Sequence, residues 1–153
     1  MSVASTARVP RPKRGSATFL IVDDDKVAVK AIRRTIEGLR YANPIEVAGD
    51  GLEALEYLEG AIDPESGRLP PHIVLLDLSM PRLDGHGFLE RVRTNPALAR
   101  LVVFVITTSD APKDVTKAYD RNVAGYIVKD DPHESLREGI QLIGDYARTV
   151  VLP

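Results

Sequence analysis

The chain of 153 residues contains no cysteine and no tryptophan, and only 5% of its residues are aromatic. Without cysteine it can form no disulfide, use no thiol nucleophile and offer no thiolate to zinc. Its apolar runs are far shorter than the roughly 18 residues of a membrane-spanning helix. The first residues also lack the continuous apolar stretch of a secretory signal peptide. We therefore expect a cytoplasmic protein without a membrane segment, whose core is mainly aliphatic.

A large net charge is also missing, since 20 Lys and Arg residues stand against 22 Asp and Glu residues, which leaves −2 at pH 7. So small a charge predicts neither attraction to nucleic acid nor binding to a membrane surface. The length and the 44% hydrophobic content predict one globular domain. Residues 1–16 are the exception, because a basic, proline-broken sequence without hydrophobic period predicts a disordered tail. A docking arm for an acidic partner is the alternative for this tail.

From residue 18 onward, short apolar runs alternate with amphipathic segments. The runs predict five strands, β1 to β5, at residues 18–23, 45–48, 73–77, 101–106 and 125–128. The amphipathic segments predict helices α1 to α5 at about 26–40, around Leu55 to Ile62, at about 86–94, after Pro112 and after Pro132. This alternation favours a doubly wound parallel sheet covered by helices on both faces. The folded domain is expected at 17–148, with an apolar tail at 149–153.

Polar side chains follow four of the predicted strands. Asp23 and Asp24 come after β1, Asp77 ends β3, Thr107 follows β4 and Lys129 follows β5. The carboxyl ends of parallel strands meet at one edge of a sheet, so these groups are expected in one crevice. Neighbouring carboxylates repel each other unless a cation compensates them, and their oxygens suit Mg²⁺. An Asp in such a place can act as a nucleophile toward phosphorus, with hydroxyl and ammonium groups contacting the phosphoryl oxygens.

These motifs resemble those of response-regulator receiver domains of two-component signalling, over about residues 17–148. The resemblance is carried by Asp23-Asp24, by Asp77 within Asp-Leu-Ser-Met-Pro-Arg-Leu-Asp-Gly, and by Thr107, Tyr126 and Lys129. It implies a flavodoxin-like fold of five parallel strands and five helices. It also implies a signalling domain rather than an enzyme, in which Asp77 accepts a phosphoryl group from a histidine kinase.

The resemblance implies a magnesium site made of Asp24, Asp77 and the backbone carbonyl of Ser79, with Asp23 assisting through a water molecule. It also implies that Lys129 contacts the phosphoryl group and that Thr107 and Tyr126 form the conformational switch.

One position departs from the family, because Asp130 stands where a proline, often after a cis peptide bond, usually follows the lysine. A cis bond before another residue costs about 2.5–4 kcal/mol, so a trans link is expected. The loop after β5 is therefore expected to take a different path from the family's. This difference affects the direction of the Lys129 side chain, which directly precedes Asp130.

A narrower resemblance points to the response regulators that pair with bacterial phytochromes. It is carried by Tyr41-Ala42-Asn43-Pro44, the long loop before β3, Thr107-Thr108-Ser109 and the closing Thr149-Val150-Val151-Leu152-Pro153. It implies a bacteriophytochrome histidine kinase as phosphoryl donor and a stand-alone receiver as acceptor. Such relatives tend to pair, so we expect a symmetric homodimer through the face of α4, β5 and α5. The apolar tail is expected to contribute to that dimer.

Three other functions are the alternatives. A degenerate receiver would bind partners without accepting phosphate, which the change at Asp130 permits. A metal-dependent phosphohydrolase with an aspartyl nucleophile would carry a second Asp two residues after the first, where Ser79 stands. A dinucleotide-binding module would need a glycine-rich turn after β1, where Asp23-Asp24-Asp25 would repel a pyrophosphate.

Several other polar residues are expected to have structural roles. Asp25 and Asp84 are expected in the first turns of helices, where a carboxylate stabilises free amide groups. Tyr119 and Tyr146 are expected to pack on helix faces. Surface positions are expected for the histidines, whose spacing does not suit a metal site: His72, His86 and His133.

Overall fold

The computed structural model describes residues 17–129 and 134–153, which form five strands that alternate with five helices. These are β1 (Thr18–Val22), α1 (Lys26–Gly38), β2 (Ile45–Ala48), α2 (Gly51–Ala61), β3 (His72–Leu76), α3 (Gly85–Thr94), β4 (Val102–Thr107), α4 (Pro112–Asp120), β5 (Gly125–Val128) and α5 (Glu134–Thr149). The predicted elements are confirmed, with ends shifted by a few residues. In this part of the chain, every helix is too short or too polar to cross a bilayer. The expectations for the tail at 1–16, for the Lys129–Asp130 link and for His133 fall outside the described residues.

All strands run parallel, in the order β2-β1-β3-β4-β5. β1 and β3 are neighbours at the centre, and their register pairs Val22 with Leu76. The ladder continues for one more bond, in which the amide of Asp77 donates to the carbonyl of Val22 at 2.9 Å. The two strands therefore end side by side, and the residues that follow them lie at one edge of the sheet.

Each face of the sheet has its own hydrophobic core, because successive strand residues point to opposite faces. Leu20 and Val22 belong to the core under α2, α3 and α4, whereas Phe19 and Ile21 belong to the core under α1 and α5. All five residues of β3 are buried. Burial on both faces explains why this strand is a continuous apolar run rather than an alternating one. The doubly wound, flavodoxin-like class that the sequence predicts is confirmed.

Three helices begin at an aspartate whose side chain accepts a hydrogen bond from a first-turn amide. Asp25 accepts from Val27 in α1, Asp50 from Glu53 in α2 and Asp84 from Gly87 in α3, at 2.8–2.9 Å. The expected roles of Asp25 and Asp84 are therefore confirmed. These caps satisfy amides that have no partner within the helix.

The histidines of the described chain are not on the surface, and this expectation was wrong. His72 is 6% exposed, and its ring contacts the Tyr57 hydroxyl at 2.9 Å and the Pro70 carbonyl at 2.7 Å. A carbonyl only accepts, so Nδ1 of His72 carries a proton, and in the neutral ring Nε2 then accepts from the Tyr57 hydroxyl. His86 is half-buried between α3 and α4. His72 has a polar partner at each ring nitrogen, and His86 has one at Nε2, inside the fold. Sequence spacing does not reveal these contacts.

Aromatic rings secure α5 against the rest of the domain. Tyr146 packs edge-to-face on Phe104, with ring centroids 5.2 Å apart, as expected. Tyr41 lies against Gly144, where a methyl group would overlap its ring. Tyr119 departs from the expectation, because 49% of it is exposed on α4.

Arg93, near the end of α3, is a half-buried cation whose hydrogen bonds go to backbone carbonyls. Its guanidinium donates at 2.7–3.0 Å to the carbonyls of Ala99, Leu101, Arg121 and Asn122. Burial lowers the pKa of Arg93. The contacts tie α3 to the segments that precede β4 and β5.

The C-terminal tail folds partly back on its own domain. Leu152 packs against the core under α1 and α5 and shares a cavity with His72 and Val102. Val151 remains 59% exposed, and Val150 is 37% exposed. Because α5 ends at the amino edge of the sheet, its last residues reach apolar surface within the same chain. Leu152 thus packs within its own chain, and of the three apolar tail residues only Val150 and Val151 are exposed to a partner.

Candidate functional site

Three carboxylates meet where β1 and β3 end. Asp23, Asp24 and Asp77 each contribute one oxygen to a group whose members lie within 4.8 Å of one another. Asp24 is exposed, Asp77 is half-buried, and Asp23 is 3% exposed. The structure thus brings together the carboxylates that the sequence predicts for one crevice, and the register of β1 with β3 is the cause.

Lys129 reaches this cluster from the end of β5. Its ammonium donates to Asp23 Oδ2 at 3.1 Å, and its backbone amide donates to the Thr107 carbonyl at 2.8 Å. That backbone bond extends the β4–β5 ladder and holds Lys129 at the same edge as the carboxylates. The other oxygen of Asp23 accepts from the amide of Asp25 at 2.9 Å. Both oxygens of Asp23 are therefore engaged.

The Asp77 carboxyl is in an environment that disfavours its charge. Burial raises the pKa of Asp77, and the negative charge of Asp23 raises it further. Lys129 and Thr107 act in the opposite direction, as does the Leu78 amide, which donates to Asp77 Oδ1 at 2.9 Å. The net direction is upward. Three carboxylates face the single Lys129 ammonium here, so this cluster lacks positive charge. A small cation with oxygen ligands would supply it, and the donor set fits Mg²⁺ or Mn²⁺.

Ser79 lies two residues after Asp77, in the loop between β3 and α3. The loop is closed at its base by the amide of Gly85, which donates to the Leu78 carbonyl at 3.0 Å. A Cβ at Gly85 would lie 2.6 Å from the Asp77 carbonyl, so only glycine permits this approach. Ser79 is exposed at the same edge as the carboxylates.

The two residues assigned to a switch lie on either side of the loop between β4 and α4. Thr107 is 1% exposed, and its hydroxyl oxygen lies 3.4 Å from the amide of Ser109. Tyr126 is half-buried, and its hydroxyl donates to the Ser109 carbonyl at 2.8 Å. Burial raises the pKa of Tyr126. Both residues therefore contact Ser109.

A polar network that sequence reasoning missed continues from this loop to α3. The Ser109 hydroxyl donates to Asp114 Oδ2 at 2.6 Å, and His86 Nε2 contacts Asp114 Oδ1 at 3.0 Å. The bond from Ser109 and the contact with His86 lower the pKa of Asp114. Asp114 could have been recognised as an acid in the first turn of α4. Its contact with His86, 28 residues away, depends on how α3 and α4 pack.

The family model of the response regulator receiver domain matches residues 19–141. The chain belongs to the response regulator receiver family. Receiver domains are signalling domains of two-component systems rather than enzymes. The resemblance inferred from the motifs is confirmed.

Similar proteins and structures extend the match over most of this receiver. The probable methanogenesis regulatory protein FilR2 of Methanothrix harundinacea is 35% identical over 128 residues, 84% of this chain and 81% of its own. Response regulator Rcp1 of Synechocystis is 30% identical over 136 residues, 88% and 92% of the two chains.

Two solved structures show the same fold. Mn²⁺-bound Rcp1 has a TM-score of 0.76 at 29% identity, and the phosphorylated cyanobacterial phytochrome response regulator RcpA has 0.78 at 27% identity. Each match covers 90% of this chain and 99% of the other. The similarity to phytochrome-associated regulators is thereby confirmed.

Proposed function

We propose that this receiver accepts a phosphoryl group on Asp77 from a phosphohistidine of a sensor histidine kinase. The observation that supports this most is the position of Asp77 beside two carboxylates and the Lys129 ammonium. An oxygen of Asp77 would attack phosphorus, and the bond between phosphorus and the imidazole nitrogen would break. The imidazole keeps the electron pair of that bond and later takes a proton from water. The lysine is placed to neutralise the charge of the phosphoryl oxygens.

The same residues would hold the divalent cation that this transfer needs. Asp24, Asp77 and the Ser79 carbonyl would bind it directly, and a bound cation would neutralise phosphoryl oxygens. Asp23 would act through a water molecule, because its two oxygens already accept bonds from Lys129 and an amide. Mn²⁺ in the Rcp1 structure supports this reading.

Phosphorylation with a small-molecule phosphodonor and Mg²⁺ tests the acceptor. The wild-type chain should take up one acid-labile phosphoryl group, and Asp77→Asn should take up none, because the amide is not a nucleophile. Undiminished labelling of the variant would show that the acceptor is another residue. A wild-type chain that takes up no label would favour the degenerate receiver.

Metal titration tests the ligands separately. Asp24→Ala should lower the affinity for Mg²⁺ several-fold or more, and Asp23→Asn should lower it less. Equal affinities in the wild type and Asp24→Ala would contradict the proposed site.

We further propose that Thr107 and Tyr126 couple phosphorylation to the loop at residues 108–111. A phosphoryl group on Asp77 offers new acceptor oxygens, which would draw the Thr107 hydroxyl inward and leave space for the Tyr126 ring. The bond from Tyr126 to the Ser109 carbonyl would then break, and this loop would change shape.

Hydrogen exchange at residues 107–114 tests this coupling. Exchange should change when the wild type is phosphorylated. Thr107→Ala should accept phosphate and lose most of the change, whereas Thr108→Ala, which alters the exposed neighbour, serves as the control. A full response in Thr107→Ala would exclude its hydroxyl as the trigger.

For the partner, we propose a bacteriophytochrome kinase, supported by the similarity to RcpA. A purified, autophosphorylated phytochrome kinase should transfer its phosphoryl group to this chain within seconds to minutes, and a chemotaxis-type kinase should do so much more slowly. Equal transfer from both kinases would contradict the assignment.

We also propose a homodimer through α4, β5 and α5. Two exposed apolar side chains support this face, Tyr119 on α4 and Leu142 on α5, at 49% and 59% exposure. Sedimentation at micromolar concentration tests it. A monomer before and after phosphorylation would contradict the dimer, and an unchanged dimer after deletion of residues 149–153 would exclude the tail from it.

A further inference from the structure

The loop between β3 and α3 contains a strained turn centred on Arg82. The φ of Arg82 is +65°, in the left-handed region that favours glycine. Across this residue, the amide of Leu83 donates to the Pro81 carbonyl at 2.7 Å, which makes a γ-turn of the rare, strained kind. A residue other than glycine keeps such a conformation only where its surroundings hold it there.

The side chain of Arg82 provides that restraint. Its Nε donates to Asp50 Oδ2 at 2.6 Å, and the Asp50 side chain is only 8% exposed. The other carboxylate oxygen of Asp50 accepts from the amide of Glu53 and caps α2. The bond from Arg82 and then the bond from Glu53 hold the pKa of Asp50 below its ordinary value. Arg82 is therefore tied to an ionised carboxylate at the start of a helix.

A backbone contact joins the same two segments. The amide of Gly51 donates to the Leu83 carbonyl at 3.1 Å, and a Cβ at Gly51 would lie 2.8 Å from that oxygen. The loop is thus attached at its base through Leu78 and Gly85 and at its far end through Arg82 and Leu83. Between these two attachments lies the segment 79–81, which begins with Ser79.

We propose that Arg82 is a positioning residue for the divalent cation: by binding Asp50 it holds the loop in the shape that presents the Ser79 carbonyl to that cation. This inference rests on the metal site of the proposed function. Arg82 does not itself touch the cation, and its positive charge alone would weaken cation binding. On electrostatic grounds alone, removing Arg82 would strengthen cation binding. Weaker binding after its removal would therefore indicate that Arg82 positions the loop.

Titration of the full chain with Mn²⁺, followed by the paramagnetic resonance signal of the free ion, measures the effect. Arg82→Ala should bind Mn²⁺ about tenfold more weakly, at the lower end of the range for residues that support metal ligands. Arg82→Gly should recover part of the loss, because glycine adopts the left-handed turn without strain. Arg148→Ala is the matched control, since it removes an exposed arginine that pairs with Asp145 on α5. Its affinity should equal that of the wild type.

Asp50→Asn examines the other side of the pair, because asparagine still caps α2 but lacks the charge that holds Arg82. It should also weaken Mn²⁺ binding. The double variant Arg82→Ala/Asp50→Asn should be no weaker than the weaker single variant, since both changes break one contact. Losses that simply add would overturn the proposal that the two residues act together.

Two further outcomes separate this inference from the metal site. If Arg82→Ala binds Mn²⁺ as tightly as the wild type while Asp24→Ala binds it several-fold more weakly, the role of Arg82 is wrong and the site stands. If Asp24→Ala and the wild type bind Mn²⁺ alike, the proposed metal site is wrong, and the proposed role of Arg82 is wrong as well.

Melting temperatures of the metal-free variants complete the test. A large fall in both Arg82 variants, without recovery of affinity by glycine, would show a general structural role and overturn the proposal.

Discussion

Neutralising Asp77 should stabilise the metal-free fold. Its carboxylate lies within 4.8 Å of that of Asp23, and at an effective dielectric constant of 20 two unit charges at that separation repel by about 3.5 kcal/mol. Burial adds to the cost of the Asp77 charge, whereas Lys129, Thr107 and the Leu78 amide offset part of that cost, and solvent around this half-buried carboxyl screens it further. Asparagine at position 77 keeps an acceptor for the Leu78 amide. We therefore expect Asp77→Asn to raise the free energy of unfolding by about 1 kcal/mol at pH 7, or the melting temperature by about 3 °C.

The pH dependence of stability tests again whether Asp77→Asn is stabilising. The pKa of Asp77 is raised in the folded state, so the neutral carboxyl contributes stability at low pH that is lost as the pH rises through the folded pKa. The advantage of Asp77→Asn should be full at pH 7 and shrink as the solution is acidified. Saturating Mg²⁺ should stabilise the wild type more than the variant and reduce the difference.

Thermal unfolding in a chelating buffer, followed by circular dichroism between pH 4 and pH 8, is the assay. The control is Glu59→Gln, which removes one negative charge from the exposed face of α2 and should change the stability by no more than about 0.5 kcal/mol. An Asp77→Asn variant that melts at or below the wild-type temperature at pH 7 would refute the reasoning. So would a difference that does not depend on pH.

Four other substitutions test the packing and the loop. Gly144→Ala should lower the free energy of unfolding by about 1–3 kcal/mol, because the added methyl group overlaps the Tyr41 ring. Gly60→Ala, whose methyl group meets open space in α2, should raise it by about 0.5–1 kcal/mol. Denaturant titration that gives both changes the same sign would contradict the packing. Arg93→Met should cost about 2–4 kcal/mol in the same titration, because four backbone carbonyls lose their donors. A loss below about 0.5 kcal/mol would contradict this. Tyr126→Phe removes the bond to the loop at 108–111 and should speed amide exchange there, and unchanged rates would count against the tether.

The fold class could be predicted because local patterns carry it. A run as short as Ile73 to Leu76, preceded by two prolines, favours a strand buried on both faces, and the amphipathic segments between such runs favour helices that cover a sheet. The start of α1 could also be predicted from local sequence, because the Asp25 side chain accepts a hydrogen bond from the amide of Val27, two residues later. The order of the strands, in contrast, arises from pairing between residues far apart, such as Val22 with Leu76.

The site was predicted in part for the same reason. Asp23 and Asp77 end apolar runs, and parallel strands deliver their ends to one edge, so their proximity follows from sequence and topology together. The salt bridge from Arg82 to Asp50 did not follow, although Asp50 and Glu53 have the spacing of a helix-capping pair. That bridge joins two loops whose distance is set only when β1 brings its neighbouring strands side by side.

The sequence by itself therefore determined, to within a few residues, where the strands and helices lie and which carboxylates follow the strands at one edge of the sheet. Only the tertiary structure decided that His72 and His86 are inside the fold, that Leu152 packs on its own domain, and that Asp114 joins α3 to α4. Each of these depends on contacts between segments distant in sequence. A periodicity or a spacing reports the face of one element, whereas burial and hydrogen bonding of a side chain depend on what the neighbouring element presents to it.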